Sequence, residues 1–152
     1  MSENNTNWGQ SVAAVVIHDG KVLLARHTYG GGKGLLITPG GYVDYNETPQ
    51  DAVKREYREE TGVLIEPRDI IAVRFNMHEW YIVFSADYIG GNAHSDNDEN
   101  SEVVWVDTAE ALARDDVAEL SKSLIKCALQ GRGMKKMPYS GNPKNGEASL
   151  YG

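Results

Sequence analysis

The stretch from Gly40 to Val63, GGYVDYNETPQDAVKREYREETGV, leaves the chain few ways to fold. Thr48 is a good N-cap, Pro49 suits the first helical position, and Asp51 stands three residues beyond the cap, so a helix starts here. Gly62 supplies its stop. At about 100° per residue, Glu56, Glu59 and Glu60 fall within an arc of roughly 100°. Val53 and Tyr57, one turn apart, mark the neighbouring apolar edge. Three carboxylates therefore crowd one face of a helix whose adjoining edge packs on a core.

A solvated, charge-balanced face is the plain explanation, with Lys54, Arg55 and Arg58 offsetting the glutamates. Like charges one turn apart cost only about 0.2–0.5 kcal/mol, so repulsion alone does not mark a site. The preceding segment does more. TPGGYVDYNE brings a Pro-Gly-Gly turn and a further carboxylate, Glu47, up to the helix N-terminus. Clustered oxygen ligands beside a glycine-rich backbone suit a hard divalent cation such as Mg²⁺, which would neutralise the crowding.

Gly41, Glu47, Arg55, Glu56, Glu59, Glu60 and Gly62 stand at the spacing G-x5-E-x7-R-E-U-x-E-E-x-G-U, with Val63 at the last bulky position. In this the segment resembles the Nudix box. Its one departure is Tyr57 at the first bulky aliphatic position; an aromatic there alters packing rather than chemistry, and its hydroxyl needs a partner. The resemblance covers about a seventh of the chain but is specific, because a long run of fixed identities seldom coincides whereas short glycine motifs often do.

The resemblance implies a metal-dependent hydrolase of phosphoanhydride bonds. Glu56, Glu59 and Glu60 are then ligands of Mg²⁺ or Mn²⁺, joined by the carbonyl of Gly40. Arg55 orients the glutamates, and Glu47 stands behind the ligands or reaches the metal through water. The catalytic group that takes a proton from water is Glu56, Glu59 or a residue on a distant loop. The family often adds an acidic ligand from a loop before a late strand. SDNDENSEVVW has that character, and Glu102, nearest the strand, is favoured over Glu99, with Asp96 and Asp98 as solvated neighbours.

Composition sets wider bounds. A chain of 152 residues without an internal repeat is expected to form one domain over residues 1–130, followed by a Gly-, Pro- and Lys-containing extension, 131–152. That extension either packs on the domain or on a homodimer partner. A net charge of −7 argues against binding nucleic acid polymers, which draw on clustered Lys and Arg. The opening MSENNTNWGQ lacks the basic-then-apolar order of a leader, and no apolar run is long enough for a membrane span, so a cytoplasmic protein is expected. The lone Cys127 lies at helical spacing from Leu120 and Leu124 and reads as a small core residue.

VAAVVIHDGKVLLARH reads as two strands joined at an Asp19-Gly20 turn. TYGGGKGLL is a glycine-rich loop; DIIAVRF, WYIVFSADY and EVVWVD are further strands; and helices are expected from Thr108 and from Asp116. This α/β pattern fits a mixed β-sheet sandwiched between helices, the Nudix fold that the resemblance implies.

The substrate is expected to be a small nucleotide-type molecule: a nucleoside diphosphate linked to another group, as in nucleotide sugars and dinucleoside polyphosphates. Arg26, at the end of the second strand, and His27 after it are weak candidates for the phosphates, with Tyr29 and Lys33 as ordinary loop residues beside them. Where ADP-ribose hydrolases of the family carry a proline beyond the box, this chain has His78 and Glu79; Tyr81, a weak base-stacking candidate beside Trp80, lies near the tyrosine position of dinucleoside polyphosphate hydrolases. Two rivals remain: a non-catalytic ligand-sensing module, disfavoured by the complete set of box glutamates, and a prenyl diphosphate isomerase-like protein, disfavoured because its cysteine and added metal-binding elements are not recognisable.

Overall fold

The computed structural model describes residues 9–152; the polar opening, residues 1–8, lies outside the described residues. Strand β1 (Gly9–His18) is apolar along most of its length and forms the middle of a mixed sheet, running parallel to β6 (Glu79–Gly90). It is antiparallel to β4 (Gly40–Tyr42) on its other side and, near its end, to β2 (Lys21–His27). The turn into β2 places Asp19 and Gly20 at φ of 50° and 76°, the left-handed pair that an Asp-Gly hairpin needs. Beyond β2 lie the short β3 (Leu36–Ile37) and β7 (Asn100–Asp107), while β5 (Leu64–Phe75) pairs antiparallel with β6 at the opposite edge.

A run such as VAAVV suits a strand covered on both faces. Val12, Ala14 and Val16 pack with Phe84 against Ala52, Val53 and Tyr57 of helix α1 (Pro49–Thr61). Ala13, Val15 and Val83 face the other way, onto Ala111 of α2 (Thr108–Ala113) and Leu124 and Ile125 of α3 (Glu119–Gln130). The mixed sheet therefore lies between helical layers, as expected.

Helix α3 starts at Glu119 rather than near Asp116, because the segment before it is drawn to the sheet. The Leu36 amide donates to the Asp116 carbonyl at 2.7 Å, and the Ala118 amide donates to Leu36 at 3.0 Å. Strand β5 starts earlier than DIIAVRF suggests and passes through Pro67, with register shifts between Pro67 and Ala72. An edge strand tolerates a proline there.

The C-terminal extension folds back onto the body. Met134 and Ile70 exchange backbone hydrogen bonds of 2.8 and 2.9 Å, Lys135 Nζ lies 2.9 Å from Asp69 Oδ2, and β8 (Lys136–Met137) pairs with β9 (Leu150–Tyr151). Gln50 Nε2 at the start of α1 donates to Ser149 Oγ and Tyr151 Oη, both at 2.8 Å, and the Tyr151 ring meets Phe84 edge-on at 6.0 Å. A cleft of about 730 Å³ remains between this extension, Gln50, Lys54, Glu66 and Arg68. Among the described residues, no helix is long and apolar enough to cross a membrane.

Candidate active site

Helix α1 begins and ends as its sequence dictates. The Asp51 amide donates to Thr48 Oγ1 at 3.1 Å, and Gly62, at φ 74°, turns the chain out of the helix with its amide on the Arg58 carbonyl at 3.0 Å. The buried stripe runs Ala52, Val53, Tyr57, Glu60, Thr61, so Glu60 continues the core face whereas Glu59 stands exposed. Tyr57 is fully buried, and its hydroxyl finds the partner it needs by donating to the Ala14 carbonyl of β1.

Arg55 is the hub of this face. It grips Glu47 with two nitrogens, at 2.8 and 3.0 Å, reaches Glu56 at 2.9 Å and Glu59 at 3.2 Å through Nη1, and donates to the Tyr42 carbonyl at 3.0 Å. The guanidinium holds the Glu47 carboxyl below its ordinary range, and Glu47 in turn raises Arg55. Gly41 leaves room for the Glu56 carboxyl: a Cβ there would stand 2.4 Å from Glu56 Cδ. At Gly40 a Cβ would stand 2.1 Å from the Val12 carbonyl oxygen, so β1 and β4 approach this closely only over a glycine.

Glu60 is the most perturbed carboxylate. It is 6% exposed, and its pKa is pushed up to about 9, first by burial and then by Glu56 and Glu99 beside it. Burial raises Glu56 too, against the pull of Arg55. Glu60 Oε2 is buried without a hydrogen-bond partner. A buried carboxylate with an orphaned oxygen and two acidic neighbours is a donor set that suits a hard cation, and a cation would remove the desolvation cost that the bare group bears. In the described residues no three such side chains are already fixed about a common ion position, so the carboxyls would have to spread from their mutual contacts to hold one.

The acidic loop delivers Glu99, and not Glu102, to Glu60. Glu102 lies opposite Arg26 in the β2–β7 pairing, and Arg26 Nε holds its Oε2 at 2.9 Å. Arg26 is itself engaged at all three nitrogens, by Glu102, by Asp116 at 3.0 Å and by the Gly34 carbonyl at 2.9 Å, so it ties strands and loop together instead of presenting a free cation. Tyr81 packs into the second core under Arg74, whose guanidinium carbon is 4.9 Å from the ring centre, and burial pushes its hydroxyl up to about 12. A stacking role for that ring would require it to leave the core.

On the other side of the site, the sequence placed Tyr29 among ordinary loop residues and gave Asn100 no role. Tyr29 and His27 stack at 5.6 Å, and Glu99, Glu60 and Glu56 all act on the Tyr29 hydroxyl, after burial, to raise its pKa. Burial lowers His27 against the pull of Glu99 and Asp96. Asn100, 2% exposed, donates from Nδ2 to the Glu60 carbonyl at 2.9 Å. Only the alternation of a loop into a strand hints at these residues, because the contacts join segments far apart in the chain.

A family model described as "NUDIX domain" matches residues 8–127. An "ADP-ribose pyrophosphatase" of Methanocaldococcus jannaschii is 33% identical over 94 residues, 58% of this chain and 56% of that protein, so the match spans about half the length of that relative. A "MutT-like protein" of Streptomyces ambofaciens is 32% identical over 134 residues, 86% of this chain and 83% of that one. A crystal structure described as a NUDIX hydrolase from Nitrosomonas europaea superposes with a TM-score of 0.73 at 23% identity, covering 83% of this chain and 72% of that one, a likeness of fold.

Proposed function

The chain belongs to the NUDIX domain family, and from that premise we propose that it is a divalent-metal-dependent pyrophosphohydrolase, cleaving a nucleoside diphosphate linked to a second group by attack of water on the phosphoanhydride. The observation that carries the reading is Glu60, buried, crowded by Glu56 and Glu99, and left with an unpartnered oxygen. Such an arrangement costs stability unless a cation uses it.

In this reading Glu56, Glu59, Glu60 and Glu99 hold Mg²⁺ or Mn²⁺ together with the Gly40 carbonyl, and Glu102 stays with Arg26. When bound, the cation supplies neutralisation of the phosphate oxygens and of the charge that develops as the bond breaks. Glu56 takes the proton of the attacking water, and Arg55 Nη1, 2.9 Å from its Oε1, fixes its direction. Arg55 and Glu47 keep the glutamates aligned. Tyr29, half exposed at the edge of the acidic cluster, faces the substrate's base or sugar. The relative from Methanocaldococcus jannaschii makes ADP-ribose the first compound to try, although the chain lacks the proline that marks many such hydrolases.

The test is turnover of ADP-ribose, dinucleoside polyphosphates and nucleotide sugars with Mg²⁺, with Mn²⁺ and with chelator. Metal-dependent release of a nucleoside monophosphate from one of them is expected. No metal-dependent turnover across the panel would leave the ligand-sensing module as the better reading.

A further inference from the structure

Helix α1 ends beside a loop that is built to hold still. Asp96 Oδ1 accepts from the Asp98 amide at 2.9 Å and from the Asn100 amide at 3.1 Å. Ser95 Oγ accepts from the Asn97 amide at 2.9 Å and donates to the Asn100 carbonyl at 2.9 Å. Asn97 takes a left-handed φ of 56°, so the chain turns tightly between those bonds. From the glycine-rich side, Thr28 Oγ1 donates to the Asp98 carbonyl at 2.7 Å and the Thr28 amide donates to the Glu99 carbonyl at 3.1 Å.

This closed loop is fastened to α1 at two points. The His94 amide donates to the Thr61 carbonyl at 2.9 Å, and Asn100 Nδ2 donates to the Glu60 carbonyl at 2.9 Å. Both acceptors belong to the last turn of the helix, where carbonyls have no partner within the helix. The Asn100 bond ends on Glu60 itself, and Asn100 directly follows Glu99, the loop residue that reaches the Glu60 carboxyl. The His94 and Asn100 bonds therefore set where the loop carrying Glu99 lies against the last turn of α1. Asn100 is 2% exposed and its own Oδ1 has no partner, an arrangement that packing alone does not call for.

We propose that Asn100 is a positioning residue: its side-chain amide bolts the Glu99 loop to α1 at Glu60, so that the Glu60 and Glu99 carboxyls stay within reach of one divalent cation. The inference rests on the metal-dependent reading above. It assigns no contact between Asn100 and the metal or the substrate. Outer partners of ligands elsewhere alter metal affinity by about 10- to 100-fold, and an effect in that range is expected here.

The experiment is a Mn²⁺ titration followed by the electron paramagnetic resonance of the free ion, on the full chain, alongside thermal melts without metal. Asn100→Ala is expected to bind Mn²⁺ at least about tenfold more weakly, with turnover recovering at high Mn²⁺. Leu124→Ala, a truncation in the core under α3, supplies a comparable loss of melting temperature and is expected to bind Mn²⁺ as the native chain does. Equal Mn²⁺ affinity in Asn100→Ala and the native chain overturns the proposal, and so does an equal loss in Leu124→Ala, which would make the effect one of general stability. If Asn100→Ala does not fold, Asn100→Leu carries the same test: it keeps the side-chain volume and removes the amide that donates to the Glu60 carbonyl, weaker Mn²⁺ binding supports the proposal and unchanged binding overturns it. A native chain that binds no Mn²⁺ removes the metal reading itself, and the positioning role with it.

Discussion

Glu60 is where the physics of this chain is least comfortable. A carboxyl whose pKa stands at about 9 in the folded, metal-free protein, against the ordinary value of 4.5, keeps its proton across neutral pH. The folded state then binds more protons than the unfolded one between those two values, so the metal-free chain loses stability through this group as pH rises from about 4.5 to about 9. Glu60→Gln removes that dependence, and at pH 8 to 9 without metal it should melt higher than the native chain; an equal or lower melting temperature there would show that Glu60 is not the strained group described. The same substitution should abolish most turnover, since a neutral amide is a poor ligand for a hard cation. Arg55→Ala should lower turnover as well, and with it metal affinity and melting temperature, because one guanidinium aligns Glu47, Glu56 and Glu59. Unchanged metal affinity in that variant would contradict the aligning role.

The strand–turn–helix of Gly40 to Thr61 makes a sharper distinction, between two neighbouring glycines. At Gly40 an added Cβ meets backbone of β1, which cannot yield, so Gly40→Ala should cost stability on the order of 3 kcal/mol. At Gly41 it meets the far end of the Glu56 side chain, which can swing aside. Gly41→Ala should therefore melt close to the native chain and yet lose turnover; chemical denaturation and rate measurements on the two variants check both halves. This element was legible in the sequence because its signals are local: the cap at Thr48, Pro49, the stop at Gly62 and the face shared by the three glutamates all lie within a few turns of chain. The β1–β2 hairpin was legible for the same reason. What joins distant segments was not. Whether Glu99 or Glu102 turns to Glu60 depends on Arg26, which occupies Glu102 across the β2–β7 pairing, and the late start of α3 depends on Leu36 holding Asp116 and Ala118.

On the scale of the whole molecule, the sheet and its two helical layers bring three separate pieces to one place: the α1 glutamates, the Glu99 loop and the glycine-rich loop with Tyr29. The C-terminal extension lies elsewhere, on the side of α1 that carries Gln50 and Lys54, with Tyr151 against Phe84. Tyr151→Ala should accordingly lower the melting temperature while leaving the turnover rate and metal affinity as they are; a matching loss of turnover would tie the extension to the site. Under the proposed function the assembled carboxylates direct water onto a phosphoanhydride with the help of a divalent cation. The decisive measurement is hydrolysis of the best substrate of the nucleotide panel in ¹⁸O-labelled water, with and without chelator, followed by mass spectrometry of the products. One ¹⁸O atom is expected in one of the two phosphate products, only when metal is present; label absent from both phosphates, or incorporated equally with chelator, would rule out metal-assisted attack of water on the phosphoanhydride.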